Sequence, residues 1–529
     1  MAGMTLGELD LIVIGAGSAG AAAAARASAD KSISVLLLEA GPDYPDSSEL
    51  PDDLADGNGL SLTDHDWQLR YRPSPEGQGG QAYTRGKVIG GSSAVNTCIA
   101  LRGDRADYEE WAEIAGEAWR WSECLPYFIE LESDQDFGDV SHHGNSGPLP
   151  IRRHRPEEWV HVQAAVVEAC RKRGYDERAD FNDPDPVISS GTGAFPMNKL
   201  VDPLPSRVGR RVSSATAFLT PEVRARPNLT IRSNSSVKRV VIDSGQVTGI
   251  EIAQGRNSEF IRCRNVVISA GTVMTPAILI RSGIGPAATL NSLSIPVVSE
   301  REGVGRIYDH PVCIVLFKAK PGVVTPGEPI VQTTLRWTSS LMRDEGEREA
   351  NDMQLEPVSY IPGAGEAFVA VNAIVERSFS QGWVKVVSAE TNAHPVIETE
   401  MLSDERDLER MLEGVRLVME LARGPEFSDV AAELYYPKEE DIFASDADAK
   451  TWMRAHVMTG YHPAGTARMG ASADDSNAVV DQYGRVFGVN GLRIADASIM
   501  PMIIRCNLNL TSMMIGMRMG DWMREELAT

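Results

Sequence analysis

Gly15, Gly17 and Gly20 stand in G-x-G-x-x-G spacing, and Glu39 follows 19 positions after the last of them. Glycines so placed allow a tight turn, let the backbone approach a pyrophosphate, and let a helix pack closely on a strand. A carboxylate at that remove accepts hydrogen bonds from ribose hydroxyls, and the lack of a following arginine disfavours a 2′-phosphate. The chemistry is dinucleotide binding, with FAD or NAD rather than NADP. A second candidate is His462, in the run Tyr461-His462-Pro463-Ala464-Gly465-Thr466. An imidazole, with an unperturbed pKa of about 6.5, is the natural general base near neutral pH. Among nine histidines, a satisfied turn residue is the alternative reading.

These residues need elements to hold them. Leu11–Ile14 is an apolar run too short for a helix and bounded by glycine, which predicts a buried strand. An alanine-rich stretch of high helix propensity follows, then a second apolar run over 33–38. Together they predict a βαβ unit whose helix N-terminus offers free N–H groups to phosphates. The polar stretch 42–80 predicts a long excursion with little regular structure, of the kind that serves as a lid or cofactor cover. Helical periodicity runs over 111–132 and 158–173, while 228–242 and 247–253 alternate like strands and 266–269 predicts another buried strand. From 312 to 436 strand-like runs (312–318, 368–376, 383–388) alternate with turns, before a charged helix over 403–423. That texture predicts a mostly antiparallel sheet inserted into the cofactor domain.

The composition excludes several classes. With 529 residues, 43% of them hydrophobic, the chain can bury a large core in more than one domain. Its net charge of −23 argues against nucleic acid or an anionic membrane as a partner. No run of about 18 apolar residues predicts a spanning helix, and no basic n-region precedes the first strand, so a cytoplasmic location is expected. Six cysteines, scattered singly without C-x-x-C, fit buried thiols in a reducing compartment. His142-His143-Gly144 is expected to be a polar turn with no ligand cluster around it, and no metal site is expected anywhere.

The stretch 86–96, GKVIGGSSAVN, resembles the first signature of the glucose–methanol–choline (GMC) oxidoreductases, flavoproteins that oxidise alcohols. The stretch 271–285, GTVMTPAILIRSGIG, is similar to the second signature, and Asp309-His310-Pro311 after 303–305 is similar to a third block. A fourth block runs from 461 to 516, so the resemblance covers essentially the whole chain. It implies an α/β fold: a Rossmann-like FAD-binding domain (7–155, 210–311 and 451–529) with an inserted substrate domain (156–209 and 312–450). It implies FAD against Gly15, Gly17, Ser18, Ala19, Gly20, Glu39 and Ala40 of the βαβ unit. In the first signature it implies contacts from Gly86, Val88, Gly91, Ser92, Asn96 and Thr97. Val237 is placed at the adenine, and Ala270, Gly271, Asp496, Ala497, Asn507 and Asn509 against the rest of the cofactor.

The same resemblance implies His462 as the base and Asn507 as the donor to the substrate oxygen, since members carry histidine or asparagine there. Asn509 would position the helix after it, whose positive end suits a reduced, anionic flavin. Some members attach the flavin covalently through a histidine where this chain has Val95, so non-covalent FAD is implied. Arg505 and Glu356 depart from relatives. Arg505 either pairs with a structural carboxylate or meets an acidic substrate. Glu356, should it face the flavin, favours a cationic or amine-bearing alcohol, and Tyr461 is a third candidate substrate contact. The activity implied is oxidation of a small primary alcohol, of hydroxymethyl-arene type, with O2 or another electron acceptor. A dehydrogenase on amino or aliphatic alcohols, and a non-redox hydroxynitrile-lyase-like activity, stay open, as does homo-oligomer formation.

Overall fold

Short, mostly apolar runs become the strands of the cofactor half. The structure is a computed structural model describing residues 9–201, 209–255, 257–325, 327–364 and 367–528. The domain limits expected at residues 7 and 529 therefore lie outside the described residues. Leu229–Arg232, Val35–Leu38, Leu11–Ile14, Val266–Ile268 and Leu492–Ile494 lie in that order in one five-stranded sheet, all pairs parallel. Leu11–Ile14, Val35–Leu38 and Val266–Ile268 are buried at every position, which is why they show no alternation of apolar and polar residues. The α/β class follows from this sheet and the helices around it.

The alanine-rich helix Ser18–Ala27 packs along the last helix, Asn509–Leu527. Small side chains permit the close approach. Ser18 Oγ lies 3.0 Å from Asn509 Oδ1, so both helices begin at the same place. Two positive dipole ends therefore converge beside the glycine turn.

A second sheet is antiparallel and carries Ala431–Tyr436, Pro311–Ala319, Phe368–Val375, Met353–Val358, Thr333–Trp337 and Gly191–Ala194 in that order. Its side chains alternate. Cys313, Val315, Leu355, Val371 and Ala373 join one apolar core with Leu408, Met411 and Val415 of the helix Glu405–Leu421. Val312, Ile314, Glu356, Val358, Asn372 and Ile374, on the intervening positions, line a cavity facing the parallel sheet. The sheet is thus a roof, with its apolar outer face covered by helix.

Three expected elements differ. The helix expected over 111–132 is two, Arg105–Ala115 and Trp121–Leu131, because Gly116 sits at φ +133 between them. The strand expected over 228–242 breaks near Asn234, at φ +52. Leu229–Arg232 joins the parallel sheet and Val237–Asp243 a three-stranded antiparallel one. The run 383–388 forms Gly382–Lys385 in another sheet, between Arg306–Ile307 and Val396–Glu398. The excursion 42–80 has only the short helices Ser47–Glu49 and Asp52–Ala55 and the strand Arg70–Arg72, and its Leu60, Ser61, Leu62 and Trp67 cover the cavity.

One reading of the sequence is corrected here. His143 is not part of a bare polar turn: it is buried, with Nδ1 2.6 Å from Glu132 and Nε2 2.8 Å from Asp180. Asp134 also approaches, and Arg102 and Arg153 balance the carboxylates. Residues separated by up to 78 positions in sequence converge here, which local turn signals could not reveal. Among the described residues no helix is long and apolar enough to cross a membrane, and all six cysteines are buried and free.

Candidate active site

One continuous cavity of about 440 Å³ runs from the glycine turn to the roof sheet. At its first end the chain supplies backbone rather than side chains. Gly91, at φ +53, approaches Gly17 so closely that a Cβ on Gly91 would stand 2.7 Å from the Gly17 Cα. Gly15, Gly17, Ser18, Ala19, Gly86, Gly91 and Ser92 all line the cavity here, as do Asn96 and Thr97. Glu39 is buried and accepts from the N–H groups of Ala16 (3.0 Å) and Gly41 (2.9 Å), with Ala40 beside it on the wall. Burial pushes its carboxyl above the usual range. Val237, Ala270 and Gly271 line the next section.

Two expected cofactor contacts lie off this wall. Gly20 sits beneath the turn, where a Cβ would stand 1.9 Å from the Gly15 carbonyl oxygen; it serves helix–strand packing. Val88 is buried with Leu54, Ala94 and Val95 in a small apolar cluster. Asp496 lines the cavity with Ala497, but its carboxylate is already engaged. It accepts from Gly271 N (2.9 Å), Thr275 Oγ1 (2.7 Å) and Ser498 N (2.8 Å), and so clamps the start of the helix Gly271–Arg281 to the final strand's loop.

The fit to a flavin dinucleotide rests on what these groups leave unsatisfied. Asn509 Nδ2 and Asn507 Oδ1 are buried at the cavity without a hydrogen-bond partner. Arg281, missed in the sequence because it sits in an apolar helix, lines the cavity and leaves Nη1 equally unpartnered. The two donors, Asn509 Nδ2 and Arg281 Nη1, with a backbone cradle and converging helix N-termini match a pyrophosphate-bearing group, while Asn507 Oδ1 is left as an acceptor. Val95, on the same wall, has no atom able to bond a flavin covalently.

The other end is built around Asp309. Its carboxylate accepts from Tyr83 Oη (2.6 Å), Thr459 Oγ1 (2.6 Å), His462 N (2.9 Å) and His310 N (2.8 Å). It thereby fastens the strand Pro311–Ala319 to the loop carrying His462. Tyr461 is held at φ +63, a conformation costing a non-glycine residue about 1–3 kcal/mol. Arg85 donates to its carbonyl (2.8 Å) and Thr459 Oγ1 accepts from its N–H (2.7 Å). The turn thus aims His462 into the cavity, with Tyr461 lining it alongside.

The hydrogen bonds fix the protons on the rings. His310 Nε2 lies 3.0 Å from the Ile504 carbonyl, which only accepts, so that nitrogen carries a hydrogen. Burial holds His310 down at about 4, so it is neutral and its Nδ1 has a lone pair. His462 Nδ1, 3.0 Å away, donates to it. The His462 Nε2 therefore carries no hydrogen; it faces the cavity and accepts from Asn507 Nδ2 at 3.1 Å. Burial, and then His310 and Arg85, hold His462 well below the usual histidine range, so at neutral pH its Nε2 is unprotonated. An unprotonated imidazole nitrogen and an amide donor thus lie side by side on the cavity wall.

Arg505 is not a substrate contact. It is buried away from the cavity, with Nε 2.9 Å from Asp107 Oδ1, and it donates to the carbonyls of Arg348 and Ala350. It anchors the loop bearing Asn507 to the helix Arg105–Ala115. Arg505→Met should cost about 3–5 kcal/mol in a denaturant titration, because it leaves Asp107 charged and buried. Glu356 does face the cavity: its carboxyl accepts from Asn372 Nδ2 at 3.3 Å, and burial lifts it to about 7.

Comparison with known proteins identifies the family. The GMC oxidoreductase models match residues 9–312 (amino-terminal) and 378–516 (carboxy-terminal). A 5-(hydroxymethyl)furfural oxidase of Methylovorus sp. (strain MP688) is 34% identical, over 98% of this chain and 99% of its own. An oxygen-dependent choline dehydrogenase of Pseudomonas putida is 32% identical, over 98% and 94%. The crystal structure of a pyridoxine 4-oxidase from Mesorbium loti superposes with a TM-score of 0.86 at 26% identity, covering 97% of this chain and 99% of that one. The chain therefore belongs to the GMC oxidoreductase family, and it is an FAD-dependent oxidoreductase acting on alcohols.

Proposed function

We propose that the chain oxidises a small primary alcohol, of hydroxymethyl-arene type, to the aldehyde. The observation that carries this is the unprotonated Nε2 of His462, hydrogen-bonded to the Asn507 amide, at the end of a cavity whose roof is mainly apolar. Val312, Ile314, Val331, Val358 and Ile374 offer a surface that takes an aromatic ring and excludes water from the reacting oxygen. His462 Nε2 takes the hydroxyl proton. Asn507 donates to the oxygen as negative charge grows there and, being neutral, does not compete as a base. FAD, when bound, supplies the acceptor for the hydride leaving the carbinol carbon. The acceptor that completes the cycle is O2 or another carrier. The name of the Methylovorus relative supports the substrate class.

Glu356 favours a second reading, an alcohol bearing an amine. Its carboxyl is neutral below about 7 and anionic above it, so it accepts an ammonium group only at the higher pH. KM for an amino alcohol should fall as pH rises through about 7, and Glu356→Gln should abolish that dependence. Comparing kcat/KM for hydroxymethyl-arenes, aliphatic alcohols and amino alcohols, with the aldehyde identified chromatographically, tests the reading. Preference for the arenes supports it; conversion of none of the three contradicts it.

A further inference from the structure

Behind His462 lies a carboxyl for which the reaction above has no use. Glu376 directly follows the roof strand Phe368–Val375 and is wholly buried. Neither of its carboxyl oxygens makes a hydrogen bond of ordinary geometry. The polar atom facing it is His310 Nδ1, 3.1 Å from Oε2. The same Nδ1 is the atom that His462 addresses from the other side, at 3.0 Å. One ring nitrogen thus stands between a buried carboxyl and the base. It has either one lone pair or one hydrogen, so it serves only one neighbour at a time. An unpartnered buried carboxyl is costly, and one aimed at a catalytic histidine calls for an explanation.

We propose that Glu376 is a positioning residue that, through His310, supplies the counter-charge for the proton His462 takes from the alcohol. The inference rests on the alcohol-oxidation reading. The step balances as follows. The substrate O–H bond breaks, the oxygen keeps the electron pair, and the proton bonds to the His462 Nε2 lone pair. The His462 Nδ1–H proton passes to the His310 Nδ1 lone pair, which leaves His462 neutral. His310 then carries hydrogens on both nitrogens, one on the Ile504 carbonyl and one on Glu376 Oε2. One proton has moved from substrate to a cationic ring beside an anionic carboxylate, and the hydride has gone to the acceptor that the proposed reaction supplies.

This arrangement offsets the burial that otherwise makes both imidazoles poor proton acceptors. It requires the carboxylate form. Burial lifts Glu376 to about 8; Arg336 pulls the other way, while Glu356, Asp107 and Asp104 push it up further. Below that pH the carboxyl's own hydrogen competes for the His310 lone pair. The rate of the reductive half-reaction should therefore rise with pH through about 8.

The test is stopped-flow reduction of the holoenzyme by a primary alcohol from pH 6 to 10, for wild type, Glu376→Gln and Glu376→Asp. Glu376→Gln should lose about 10²-fold in limiting rate, together with the alkaline rise, at nearly unchanged apparent affinity. Glu376→Asp should keep the rise and recover part of the rate. A second readout needs no substrate: ¹⁵N-histidine NMR of wild-type holoenzyme should show the His310 ring nitrogens shifting as pH crosses about 8, and Glu376→Gln should remove that shift. A Glu376→Gln enzyme with wild-type rate and pH profile would overturn the proposal. So would a His310 signal indifferent to pH in wild type, which also decides the matter if the glutamine variant does not fold. Failure of every alcohol to reduce the wild type would sink the functional reading, while the NMR titration would still decide the Glu376–His310 coupling.

Discussion

His462→Ala should lower kcat by about 10²- to 10⁴-fold, the range that a positioned general base contributes, while leaving FAD bound. The groups hydrogen-bonded to His462 cannot replace it as base. Asn507 carries no basic nitrogen, and His310 is turned with Nε2–H on the Ile504 carbonyl. Asp309 is spent on four donors. The His462 side chain is hydrogen-bonded to His310 and Asn507 rather than to the glycine turn, so the flavin absorbance of the purified variant should match wild type. Rapid reduction kinetics together with the bound-flavin spectrum check both halves of the expectation. A variant that is slow only because it has lost its flavin would not count in its favour.

Asn507→Leu should lower kcat by about 10²- to 10³-fold, as removal of one preorganised donor to a developing oxyanion does. Leucine keeps the volume and removes the amide, so the loss reports hydrogen bonding rather than shape. The effect should fall on kcat more than on KM, because the charge that Asn507 meets is largest in the transition state. Asn507→Asp should be worse still, since a carboxylate 3.1 Å from the base repels the same charge and draws a proton onto Nε2. Steady-state kinetics on all three proteins gives the ordering.

Much of this site was legible because its residues act through the backbone or through a motif. The turn of Gly15 and Gly17 and the strand before it follow from local sterics and apolar patterning, and Glu39 falls where the second strand must end. His462 and Asn507 stand in a run whose glycines and proline dictate its turns. The roof sheet was legible as alternation over 312–318 and 368–376. Alternation does not say which face meets the cavity, so the orientation of Glu356 needed the packing of the helix Glu405–Leu421 against the opposite face.

What was not legible depends on contacts distant in sequence. Val88 looks like part of a glycine-rich cofactor loop, yet its side chain turns toward Leu54 and Val95. Arg505 lies two positions from the donor asparagine but is claimed by Asp107, 398 positions earlier. Asp309 and His310 were visible as a motif, without the four donors or the ring partner that explain them. Glu376 had no signal at all, since an acid beside a strand ordinarily faces water.

The most direct measurement is the anaerobic spectrum of the purified wild-type protein titrated with a hydroxymethyl-arene, an aliphatic alcohol and an amino alcohol. The account predicts a yellow protein whose oxidised-flavin band bleaches with a primary alcohol, stoichiometrically with aldehyde formed. A yellow protein that none of the three alcohols bleaches would contradict it and would point to non-redox chemistry on the same scaffold.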